Sequence, residues 1–219
     1  MDLPVATPRR SAAAAFGAIG LLCAMLATSA GAHAASRARP SGAAKSRVVA
    51  HPADPVASGI GPCPDTTLTP TPADTARILR STLCLINAQR RHFGLVPLVE
   101  DPRLDRSAQA HSDDMVAHGY FEHVSPSGST PVSRMTSAGY LSSGVGYEVG
   151  ENIAWGTLNL ATPSSIVTAW MNSPDHRANI LRAAFRQEGL GVNAGVPGPV
   201  GQGEPGATYT QDFGVITGG

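Results

Sequence analysis

Trp170-Met171-Asn172-Ser173-Pro174-Asp175-His176-Arg177-Ala178-Asn179-Ile180-Leu181 is the stretch from which the rest of this chain is best read. Proline at the first position of a helix gives up only an amide that would have no partner there. The Ser, Thr or Asp before it accepts hydrogen bonds from the free amides of the first turn. Ser173-Pro174 therefore starts a short helix, capped by Ser173, with His176 in its first turn.

The same punctuation recurs at Thr71-Pro72, Asp101-Pro102, Thr130-Pro131 and Thr162-Pro163, and glycines at 94, 119 and 139 stand where three helices would end. These signals predict helices near 72–93, 102–118, 131–138, 163–172 and 174–182. Periodicity agrees: Ile78, Leu79, Leu83 and Ile86 form one apolar stripe, Leu104, Ala108, His111 and Met115 another, and Ile166, Val167 and Trp170 a third. Strand signals come late. Gly189 to Val196 and Thr208 to Ile216 flank the Gly/Pro-rich connection 197–206 and predict an antiparallel hairpin, with an earlier strand near Ile153 and Trp155. No internal repeat is visible, and the class is α+β or a three-layer sandwich.

Two further segments carry chemistry. Tyr120-Phe121-Glu122-His123-Val124-Ser125-Pro126-Ser127-Gly128 puts a histidine on a loop, where backbone can aim it into a cleft. Gly150-Glu151-Asn152-Ile153-Ala154 sends a carboxylate into an apolar stretch, where it needs a metal or a histidine as partner. No zinc-protease helix motif, C-x-x-C pair or G-x-S-x-G elbow is present, so a standard hydrolase label has no local support.

Together the three segments resemble the bacterial branch of the CAP superfamily (cysteine-rich secretory, antigen 5 and pathogenesis-related-1 proteins). Its pattern runs through a His-x-x-Pro-x-Gly loop, a Gly-Glu-Asn-Ile segment and a Trp-x-x-Ser-Pro-x-His-Arg turn. The similarity spans about Leu83 to Val215, with Tyr209-Thr210-Gln211-Asp212-Phe213-Gly214 resembling the last strand of the family. The resemblance implies an α-β-α sandwich with an antiparallel central sheet and a cleft of two histidines and two acids, able to hold a divalent metal in some members. His123, Glu151 and His176 match three of those four positions. Ser173 stands where the second acid would be, and neither Glu122 nor Asp175 occupies the matching place.

Two imidazoles and one carboxylate suffice for zinc with a water ligand, and they equally suit a metal-free hydrogen-bonded cluster. Asn152, Glu122, Ser173, Asp175 and His111 are secondary cleft candidates. His111 either faces the cleft or packs in the core, the commoner fate of a histidine on an apolar stripe. His92 and His118 sit near helix ends, where a cation complements the dipole.

The outer segments bound the class. Of 219 residues, 24 are glycine and 18 proline, which suits a loop-rich fold. Lys and Arg number 16 against 16 Asp and Glu, so nothing argues for nucleic acid or an anionic membrane as the main partner. Residues 1–35 read as an export signal: Arg9 and Arg10, an apolar run to Ala30, then Ala32-His33-Ala34 for cleavage. An uncleaved anchor is the alternative, which the many alanines disfavour. Residues 36–61 read as an Ala/Pro/Ser-rich linker and 62–219 as the folded domain. Cys63 and Cys84 would pair in an oxidising compartment, two buried thiols being the alternative.

These readings lead to a secreted, extracellular or wall-associated protein presenting a His/Glu cleft to a lipid, a cell-wall fragment or another protein. A metal-dependent hydrolase with Glu151 as general base is the alternative, and an inert wall protein a third class.

Overall fold

Proline does open helices in this chain. The computed structural model describes residues 62–199, 201 and 203–218. The expected signal segment 1–35 and linker 36–61 lie outside the described residues. Helices α2 (Pro102–His118), α3 (Pro131–Ser137), α4 (Pro163–Asn172) and α5 (Pro174–Ile180) all begin on proline, and α1 spans Thr75–His92. Asp101 accepts from the Arg103 amide at 2.9 Å, and Thr130 forms a reciprocal capping box with Ser133.

Two expectations about caps need correction. Helix α1 starts at Thr75 rather than Pro72, because the Thr71 hydroxyl bonds the Asp74 carboxylate at 2.7 Å instead of capping amides. Ser173 holds the N-cap position of α5 but makes no side-chain cap bond. Packing holds that helix instead: Ile180 is buried, and its carbonyl accepts from the Arg90 guanidinium of α1 at 2.7 Å.

Strands β1 (Val99–Glu100), β2 (Gly146–Thr157), β3 (Gln187–Asn193) and β4 (Gly206–Thr217) form one sheet in the order β1-β3-β4-β2. The expected hairpin is present, with β3 and β4 antiparallel from Gln187↔Gly214 to Asn193↔Thr208. Strand β2 pairs with β4 along its whole length, Gly146↔Thr217 to Thr157↔Gly206. The sheet is mixed rather than purely antiparallel, because the two-residue β1 runs parallel to β3.

Helices cover both faces. On one, Leu104 of α2 packs with Met135 of α3, Tyr140 and Leu141. On the other, Ile78, Ile86, Val167, Trp170, Ile180, Phe185, Tyr209 and Phe213 form the larger core, each large side chain contributing about 1.5–3 kcal/mol through burial. Helix α2 lies against the sheet backbone itself: a Cβ added at Gly191 would sit 2.3 Å from the carbonyl carbon of Ala108. That approach lets α2 cap the edge of β3. Asp105 accepts from the Leu190 amide and Gln109 from the Val192 amide, both at 3.0 Å.

Cys63 and Cys84 form a disulfide that ties the start of the described chain to α1. No helix among the described residues is long and apolar enough to cross a membrane.

Candidate functional site

Three elements and one loop converge on Glu151. The residue sits mid-way along β2, so the fully paired β2–β4 ladder fixes its direction, and it is 4% exposed. His123 is delivered by the loop that follows the left-handed Gly119 stop of α2. That loop folds back on itself, the Ser125 amide donating to the Ser129 carbonyl at 3.0 Å. Arg134 of α3 clamps it, donating to the carbonyls of Ser129 and His123, each at 3.0 Å.

The same guanidinium donates to Glu151 Oε2 at 2.6 Å, while His123 Nδ1 lies 2.7 Å from Oε1. An ionised carboxylate only accepts, so the His123 proton resides on Nδ1. Burial opposes the Glu151 charge, but the His123 hydrogen bond and the Arg134 cation outweigh it and hold the carboxyl below its usual range.

His111 packs in the core, close to Glu151. It is fully buried on the α2 stripe, and its Nε2 lies 3.9 Å from Glu151 Oε1. Nε2 donates to the Glu122 carbonyl at 3.0 Å. Burial pushes the imidazole down to about 4, so it is neutral near pH 7.

His176 differs. It is 1% exposed, and neither ring nitrogen has a hydrogen-bond partner among the described residues. Burial first, then the neighbouring His123, pushes it down to about 4. Asn152 holds the backbone beneath it, donating to the His176 carbonyl at 3.2 Å and accepting from Asn179 at 2.9 Å.

The other sequence candidates stand aside. Glu122 and Asp175 are exposed, Glu122 contributing only its carbonyl, so neither supplies the second acid. Ser173 is half-buried and spends its amide on the carbonyls of Ala169 and Trp170. Two residues that sequence reasoning did not single out complete the cluster. One is Arg134. The other is Asp212, which faces Glu151 across the β2–β4 pair, fully buried. Burial and the Glu151 charge push Asp212 well above the usual carboxyl range.

The donor set does not fit the zinc ion that the resemblance allows. Both Glu151 oxygens are engaged, and a guanidinium stands where a dication would be repelled. Among the described residues no three His, Cys, Asp or Glu side chains are arranged to hold a metal. A carboxylate held below its usual range is also a weak general base near pH 7.

A profile of the Cysteine-rich secretory protein family (CAP) matches residues 83–212, and the chain belongs to that family. YkwD of Bacillus subtilis (strain 168) is 38% identical over 148 residues, which make up 67% of this chain and 51% of YkwD. The chain thus spans about half the length of that relative. An extracellular protein of Bacillus anthracis containing a SCP domain is 28% identical, with TM-score 0.49 over 64% of this chain and 40% of that one. An outer surface protein of Borrelia burgdorferi shares the fold at 18% identity, with TM-score 0.50 over 62% of this chain and 90% of that one.

Proposed function

We propose that this chain is an exported CAP-family protein that binds a cell-wall fragment through the cleft of His123, Glu151 and His176. The observation that carries the reading is His176, a buried imidazole next to His123 whose two ring nitrogens have no hydrogen-bond partner among the described residues. Buried polar groups are ordinarily hydrogen-bonded, and an unpartnered one costs about 1–3 kcal/mol unless something meets it. The polar lining suits the hydroxyl and amide groups of a glycan–peptide fragment better than a lipid chain. Residues 1–35 and 36–61 would export the domain and space it at the wall. The hydrolase reading finds no support in the donor set, because Glu151 serves Arg134 and His123 rather than a metal-bound water.

Calorimetry of the purified full chain with muramidase-solubilised peptidoglycan tests this. Saturable heat is expected, lost in His176→Ala and retained in His118→Ala, whose imidazole is exposed and pairs with Asp114. Absent heat, or heat unchanged by His176→Ala, contradicts the reading.

A further inference from the structure

Beyond Glu100 the edge of β3 has no strand partner among the described residues, and a cavity of about 100 Å³ opens there between α1 and α2. Leu79, Leu83 and Leu190 line it together with Glu100, Asp105 and Glu188. That volume leaves room for a short aliphatic stem.

Glu188 carries the argument. It is 1% exposed; its Oε2 accepts from Gln211 at 2.5 Å, and its Oε1 has no hydrogen-bond partner among the described residues. Arg90, the cation felt by Glu188, is committed elsewhere, to the carbonyls of Val96, Ile180, Arg182 and Phe185. Asp105 adds a second carboxyl, held by the Leu190 amide, and the exposed Glu100 a third. A bare divalent ion would want oxygens on every side. Here half the lining is leucine, and no three acidic or histidine side chains among the described residues are arranged for a metal.

We propose that this cavity binds a primary ammonium on a short aliphatic stem, the leucines holding the stem and Glu188, Asp105 and Glu100 the charge. Glu151 and its partners play no part in it. Burial pushes Glu188 up to about 8 and Asp105 up to about 6, so an arriving cation displaces protons. The ammonium could belong to a free amine or to a lysine-type side chain of a peptide.

The test is carboxyl carbon NMR of the full chain, above about pH 8, titrated with n-butylammonium chloride. Parallel titrations use Nα-acetyl-lysine methylamide, n-butanol and CaCl₂. A saturable Glu188 shift is expected with n-butylammonium and none with n-butanol. The lysine derivative responding as well assigns the source to a peptide, and its silence to a free amine. Glu188→Gln should weaken binding about tenfold or more. The proposal fails if n-butylammonium gives no saturable shift, if n-butanol binds equally, if Glu188→Gln binds unchanged, or if CaCl₂ alone saturates. Should that variant not fold, the comparison of n-butylammonium with n-butanol still decides.

Discussion

Glu151 of β2 and Asp212 of β4 stand directly opposite one another, both buried, and their carboxyls are pushed in opposite directions. Two buried carboxylates that face each other across a strand pair cannot both ionise cheaply. His123 and Arg134 hold the Glu151 carboxyl below its usual range, while burial and the Glu151 charge hold Asp212 well above its own. The cluster around Glu151 therefore contains a second acid, one that comes from the last strand rather than from the Ser173 turn.

The Arg134–Glu151 pair should behave as a buried ion pair. Arg134→Met leaves a buried carboxylate without its cation and should cost about 3–5 kcal/mol. Adding Glu151→Gln should restore much of that loss, since both charges are then gone. Urea unfolding of the two variants measures this; a loss below about 1 kcal/mol in the single variant contradicts the pairing.

His111 and His176 make stability depend on pH in a defined direction. Each falls to about 4 in the fold from an ordinary 6.5. Between these values the unfolded chain binds more protons, so their contribution is complete above 6.5 and is lost as pH falls toward 4. Each costs about 1.4 kcal/mol per pH unit in that window. Glu188 runs the other way: raised from 4.5 to about 8, it contributes most below 4.5 and loses that contribution as pH rises toward 8. Because the trends oppose, the check is residue-resolved: the His111 and His176 ring protons should show no titration above about pH 5. Midpoints near 6.5 would contradict it.

The Cys63–Cys84 bond closes a loop with a sequence separation of 21, so its reduction should cost about 3 kcal/mol through the freedom regained by the unfolded chain. Guanidinium unfolding with and without reductant measures the difference. Two alkylatable thiols in the purified, unreduced chain would contradict the bond itself.

Four of the five helix starts were legible because a cap and a first-turn proline are adjacent in sequence and act locally. Strand β1 was not: Val99 and Glu100 are strand only because β3 runs beside them. The first half of β2 was missed since Gly146 and Gly150 read as breakers until β4 pairs with them. His123, Glu151 and His176 stood out as motifs. Arg134 gave no such signal, since its role arises only when α3 packs over β2. Asp212 did give one, as the lone acid in β4, a strand otherwise free of ionisable side chains apart from Tyr209.

In the function proposed above, His176 meets a ligand group rather than a metal. Long-range ¹⁵N–¹H spectra of the full chain resolve its two ring nitrogens directly. A neutral imidazole is expected near pH 7, its nitrogens shifting saturably with solubilised peptidoglycan and staying unmoved by zinc chloride. Saturable shifts with zinc at His123 and His176, and none with peptidoglycan, would contradict it.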